Sequence, residues 1–181
     1  MTTREKILHA VLRVIGTEGV AGVTNRRVAR EAAVSLGSIT YHFASQHELL
    51  REAMLLFVAE ETARLAGIAE QHLGTPVSLA AAAAMVEQVA VDTRFGEEEL
   101  APLELYIQAG RDPSLRDAAA ECFAAYDRIA VTVLGALGVP EPERLAGPVV
   151  ALIAGLQLRR LATGSTGGAS IADAVTMLVR G

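Results

Sequence analysis

The stretch TNRRVAREAAVSLGSITYHF, Thr24 to Phe43, constrains this chain more than any other. It reads as two short helices joined by a tight turn. In the first, Val28, Ala29 and Ala32 share one face at a spacing of about 3.6 residues, which leaves Arg26, Arg27 and Arg30 projecting to solvent or to an anion. Thr24 is suited to cap this helix, because its hydroxyl oxygen can accept an otherwise unpaired first-turn N–H, and Val23 and Val28 occupy the two positions of a hydrophobic staple. Ser35 can cap the second helix. That helix carries Ser38, Thr40, Tyr41 and His42, short polar and aromatic groups suited to nucleic acid, over an inner face of Ile39 and Phe43.

The remainder of the chain agrees with a helical setting. Hydrophobic residues make up 51% of the 181 residues and aromatic ones only 4%, so the core is built from Ala, Leu and Val without β-branched runs, which favours helices. An all-α protein is expected. Thr2 and Glu5 have capping-box spacing ahead of Ile7, Leu8, Val11, Leu12 and Ile15 on one face, and Gly19 ends that helix. Ser45 and Glu48 repeat the spacing and open a long helix to about His72, closed by Gly74 and Pro76.

Beyond it the pattern predicts an alanine-rich helix from about Pro76 to Arg94, one from Glu97 to Gly110, and a long one from Pro113 to Leu137. The next runs from about Glu143 to Ala162, where Pro148 either kinks the helix or moves its start. TGSTGGAS, Thr163 to Ser170, has the composition of a linker, and IADAVTMLV of a last short helix. The division expected is a helix-turn-helix head over residues 1–46 and a longer helical body over 47–181.

Charge is divided along the same line. Residues 1–45 hold six Arg or Lys against three acids, whereas the remainder holds ten against eighteen, within a net charge of -5. A basic head can face phosphates while an acidic body stays away from them. The uncharged run Leu145 to Leu158 has 14 residues, short of the roughly 20 that span a bilayer. No membrane span, no secretory leader and no internal disulfide are expected, since Cys122 is the single cysteine. A cytoplasmic protein is the simplest reading.

Signs of catalysis or metal binding are weak. His42 and His47 straddle a helix boundary and do not form an i, i+4 pair on one face. Cys122 stands in apolar AAAECFAAY without a neighbouring cation to lower its pKa, which favours packing over nucleophilic attack. Glu97, Glu98 and Glu99 suit a helix start, and TGSTGG lacks the lysine of a phosphate loop. No catalytic residue, no cofactor and no metal are expected, and the protein is read as a non-enzyme.

From Thr3 to Leu50 the chain resembles the tetracycline-repressor (TetR) family of transcription regulators. The likeness is carried by the Gly19 turn, Ala29, the AAVS turn, Gly37, the YHF ending and the following capping box. The resemblance implies a helix-turn-helix whose second helix enters the major groove, with Ser35, Leu36, Gly37, Ser38 and Thr40 near the bases. It assigns Thr24, Asn25, Arg26, Tyr41 and His42 to phosphates. Two departures stand out: Ala33 occupies a turn position where the family usually has glycine, and Ala44 and Gln46 replace lysines. The first adjusts the turn slightly and the second weakens the expected grip on DNA, so a helical ligand-binding or scaffold protein with a weakened head is the alternative.

The resemblance further implies a homodimer joined by its last two long helices, which fits stripes of Ile129, Val133 and Leu137 and of Leu145, Val149, Leu152 and Leu156, with Ala136, Ala151 and Gly155 permitting close approach. A small-molecule effector of unknown identity would lie among the helices between Phe57 and Tyr126, where Gln88, Asp92, Tyr106, Gln108 and Tyr126 are the polar candidates. The function expected is that of a repressor on a palindromic double-stranded DNA operator, released by that effector.

Overall fold

The computed structural model describes residues 1–72 and 97–164, together with 173–174 and 176–177. Among the described residues every regular element is a helix: α1 (Thr3–Glu18), α2 (Asn25–Ala32), α3 (Leu36–His42), α4 (Gln46–His72), α5 (Glu97–Arg111), α6 (Arg116–Ala136) and α7 (Pro142–Thr163), with short 3-10 turns at Val20–Gly22 and Pro113–Leu115. The expected alanine-rich helix from Pro76 to Arg94 and most of the C-terminal segment lie outside the described residues. The chain divides into two compact units, Met1–Glu61 with Phe95–Phe123, and Thr62–Arg94 with Ala124–Gly181.

The first unit is built on α1. Its capping box is complete: Glu5 N donates to Thr2 Oγ1 at 3.2 Å while Thr2 N donates to Glu5 Oε2 at 2.7 Å. The helix buries Ile7, Leu8, Ala10, Val11, Leu12, Val14 and Ile15. It packs against α2 and α3 of the head and also against α5. Gly19 stops it with φ of 73°, a backbone conformation that a side chain disfavours. Val23 and Val28, the staple pair, are both buried.

The turn between α2 and α3 is left-handed at Ala33, with φ 53° and ψ 45°. Ala33 N donates to Arg30 O at 3.3 Å and Val34 N to Ala29 O at 3.0 Å. These are the paired bonds of a Schellman end, formed here without the usual glycine. The Cβ at this position costs about 1 kcal/mol.

In the second unit Leu134, Val139 and Val149 form a buried cluster, with Leu137, Leu145, Leu152, Ile153 and Leu156 packed on it. Leu134 rather than Ile129 or Val133 is the buried residue of the α6 stripe. Pro148 lies inside α7 and does not move its start, which falls at Pro142. Of the described helices α7 alone is long and apolar enough to cross a membrane by length and composition, with mean hydropathy 1.3 over an 18-residue window of which 11% is buried. Ala136, Ala151 and Gly155 are exposed on the protomer, as is Leu158.

Candidate nucleic-acid interface

The helix-turn-helix brings five of the ten expected contact residues into one open groove, which Ser35, Gly37, Ser38, Tyr41 and His42 do not line. Thr24, Asn25 and Arg26 of the α2 entrance and Leu36 and Thr40 of α3 line it, joined by Ala44, Ser45 and Gln46 at the start of α4, over Val23, Ile39, Phe43 and Leu49. Thr24 caps α2 as its spacing predicts, Oγ1 accepting from Arg27 N at 3.2 Å. The first-turn N–H groups of α2 lack helical acceptors and carry the positive end of the helix dipole. A phosphate fits that end.

Ser35 caps α3 by accepting from Ser38 N at 3.1 Å, and its hydroxyl lies 2.8 Å from that of Ser38. Thr40 Oγ1 donates to the Gly37 carbonyl at 3.2 Å. Ser35, Leu36, Gly37, Thr40 and Tyr41 are exposed, whereas Ser38 and His42 are half-buried. Tyr41 is 84% exposed, and its ring meets His42 edge-on with centroids 5.0 Å apart. A Cβ at Gly37 would meet only Ser35 Oγ, at 3.8 Å, so internal packing does not demand glycine there.

Of the three arginines expected to project, Arg26 and Arg30 are exposed but Arg27 is not free to do so. Its Nε lies 2.7 Å from Glu18 Oε1 and its Nη1 2.8 Å from Glu31 Oε2, while Glu31 also accepts from Arg13 Nε at 2.9 Å. The bonds from Arg27 and then Arg13 hold the Glu31 carboxyl below its ordinary range, and those two carboxylates raise Arg27. The i, i+4 spacing of Arg27 and Glu31 carried the signal. This network fastens α2 to α1 rather than to an anion.

Sequence reasoning missed Ser45 and Gln46 as groove residues. Gln46 Nε2 donates to the Val23 carbonyl at 2.8 Å. Ser45 Oγ accepts from Glu48 N at 3.1 Å, but Glu48 Oε2 accepts from Ala44 N at 2.7 Å rather than from the cap residue's own N–H, so the second capping box is shifted by one residue. At the opposite edge Arg4 stands 5.3 Å over the Phe43 ring and 2.6 Å from Glu52 Oε2, which clamps the end of α3 to α1 and α4.

Three of the five expected effector residues lie among the described residues. Gln88 and Asp92 lie outside the described residues. Tyr106 is half-buried on α5 with its ring 4.8 Å from that of Phe123. Gln108 lines a smaller groove with Gly19, Val20, Ala21, Gln46, Glu104, Ile107 and Arg111. Tyr126 is half-buried on α6, in the second unit. Cys122 is buried, its thiol pushed up to about 11 by that burial and then by the charge of Glu121, and it points at the Met54 carbonyl 3.9 Å away. His47 Nε2 lies 2.9 Å from Asp112 Oδ2.

A capped α2, a tight turn and an exposed α3 on an all-helical chain define a helix-turn-helix DNA-binding protein. Comparison with known proteins narrows the class. Residues 7–53 match the model of bacterial regulatory proteins of the tetR family, and residues 77–181 match the tetracyclin repressor-like C-terminal domain. This chain belongs to the tetracycline-repressor (TetR) family of DNA-binding, ligand-responsive transcription regulators. Over 70 residues it is 40% identical to the HTH-type transcriptional regulator PksA of Bacillus subtilis (strain 168), an alignment covering 39% of this chain and 34% of that relative. The matched segment thus spans about a third of the length of that relative.

Similar solved structures cover the whole chain. The transcriptional regulator SCO7518 of Streptomyces coelicolor A3(2) is 30% identical with a TM-score of 0.78, over 99% of both chains. The multidrug binding protein EbrR, complexed with ethidium, is 30% identical with a TM-score of 0.77, over 98% of both.

Proposed function

We propose that the chain is a cytoplasmic repressor that grips a palindromic operator as a homodimer and releases it when a small molecule binds its body. The observation that carries this reading is the single groove shared by Thr24, Asn25 and Arg26 of α2 with Leu36 and Thr40 of α3. Thr24, Asn25, Arg26, Tyr41 and His42 hold phosphates and fix register, while Ser35, Leu36, Gly37, Ser38 and Thr40 approach the base edges. Two heads related by a two-fold axis stand about one helical turn of DNA apart, roughly 34 Å, and therefore favour an inverted repeat.

The pairing face is assigned to α6 and α7. Exposed Ala151, Gly155 and Leu158 follow i, i+4, i+7 spacing on α7, which gives one narrow face where a twin helix can approach. The effector acts through α4, whose first residue, Gln46, comes four positions after the last residue of α3, His42. A ligand favouring one position of α4 alters the separation of the two heads, and a coupling of about 1–3 kcal/mol lowers operator occupancy by about five- to 150-fold. The polar candidates for that ligand are Gln88, Asp92, Tyr106, Gln108 and Tyr126. A relative that binds ethidium makes planar organic cations the first compounds to try.

The test is retardation of the DNA immediately upstream of the chain's own coding region, with purified protein, followed by a screen for small molecules that abolish the retarded band. A discrete complex reversed by a compound is expected. A chain that retards this fragment no better than scrambled DNA of the same length contradicts the reading.

A further inference from the structure

The helix assigned to the bases lacks the side chains that single out guanine or adenine. Leu36–His42 contains no Arg, Lys, Asn or Gln, the residues whose paired hydrogen bonds distinguish those purines in the major groove. Of its three hydroxyls, those of Ser38 and Thr40 already have partners within the chain, and that of Tyr41 is assigned to phosphate. Ser38 Oγ is 2.8 Å from Ser35 Oγ, and Thr40 Oγ1 donates to the Gly37 carbonyl. Hydroxyls bond equally well to several base edges, so they carry little discrimination in any case.

At its first residue the helix presents an apolar side chain to the groove. Leu36 leaves 47% of its surface exposed, and it lines the groove together with Thr40, one turn further along the same face. A lone exposed leucine is ordinary on a protein surface. This one shares its groove with Asn25 and Arg26, and the neighbouring bare backbone of Gly37 leaves room beside it. The floor of the major groove offers one apolar group, the C5 methyl of thymine.

We infer that this chain recognises its operator through thymine methyl groups, with Leu36 as the specificity-determining residue, rather than through paired hydrogen bonds to guanine or adenine. The inference rests on the DNA-binding reading above. Burying one methyl against Leu36 in each half-site changes affinity by about fourfold per half-site, hence about 15-fold over a symmetric operator.

The experiment starts from a site that the full-length chain enriches from random duplex DNA. Each thymine in a half-site is then replaced by uracil, which keeps base pairing and removes only the methyl. Affinity at fixed salt is expected to fall by about fourfold at one position per half-site. Leu36→Ala should bind the thymine and uracil sites equally, and Leu36→Met should restore a preference for thymine; circular dichroism of both variants checks that the head is folded. If uracil at every position leaves affinity within about 1.5-fold while the wild type still prefers its site to scrambled DNA, the methyl readout is overturned and DNA binding stands. If Leu36→Ala keeps the discrimination, the role of Leu36 is overturned. A selection that enriches no sequence overturns the inference together with the DNA-binding reading.

Discussion

Gln46 Nε2 donates to the Val23 carbonyl at 2.8 Å, so the first residue of α4 holds the residue immediately ahead of the α2 cap. In the function proposed above, the bond joins the helix that passes on the effector's influence to the phosphate-facing end of the reading head. A side chain that could have reached DNA is committed to the fold instead.

Gln46→Met keeps the length of this side chain and removes its donor. It should lower stability by about 1 kcal/mol, a fall of about 2–4 °C in Tm for a chain of this size, and weaken operator binding without altering its salt dependence. Gln46→Lys keeps a donor and adds a charge. If the lysine reaches phosphate, the magnitude of the log–log salt slope rises by about 0.9 for each half-site. The wild-type slope should lie below about 7, the value for eight phosphate contacts; titrating salt against operator affinity measures both.

Ala33 should accept glycine with a gain. Its φ of 53° places a Cβ where only glycine is unstrained, so Ala33→Gly is expected to stabilise by about 1 kcal/mol. Ala32→Gly, inside regular α2 one residue earlier, should destabilise by about 0.5–1 kcal/mol. Opposite signs in paired thermal melts are the expected result.

The Glu31 carboxylate is held below its ordinary value of 4.5, chiefly by its bond from Arg27 and then by that from Arg13. A depressed folded value means that the contribution is fully present above pH 4.5 and is lost as the pH falls through the lower folded value. The stability difference between wild type and Glu31→Gln should therefore be largest near neutrality and shrink below pH 4.5. Denaturant unfolding at pH 7 and in the acid range checks it.

Gly155 provides a test of the pairing face. A Cβ there meets nothing within 4 Å inside the protomer, so Gly155→Arg leaves the protomer's packing intact while blocking close approach of a twin helix. The wild type should sediment at twice the protomer's 19.0 kDa and the variant at 19.0 kDa. A variant of unchanged mass places the dimer contact elsewhere.

Much of the head was legible because its signals are local. Thr2, Thr24 and Ser35 cap the helices that their spacing announced, and the alternation of apolar positions marked Val28, Ala29 and Ile39 as core. Long-range partnerships were not legible. The charges around Arg27 suggested an anion-facing residue, but Glu18, brought close by the packing of α1 on α2, claims it together with Glu31 of its own helix. Gln46 read as a lost lysine because nothing local reveals that Val23 O lies within its reach. In the body, the described helix boundaries followed Gly and Pro punctuation, whereas the effector residues were chosen for polarity within the span from Phe57 to Tyr126. Polarity does not specify which side chains share a cavity.

The central claim is that Thr24 to Phe43 reads DNA, and the most direct measurement compares the affinity of the full-length chain for its upstream operator with that for a scrambled duplex at the same salt. The account predicts a preference of about 10³-fold or more, and an operator affinity reduced at least tenfold, for loss of the Thr40 and Tyr41 contacts in each half-site, in a chain carrying Thr40→Ala and Tyr41→Phe whose helical content is unchanged. Equal affinity of the wild type for the two duplexes, or an operator affinity untouched by the double substitution, would contradict it.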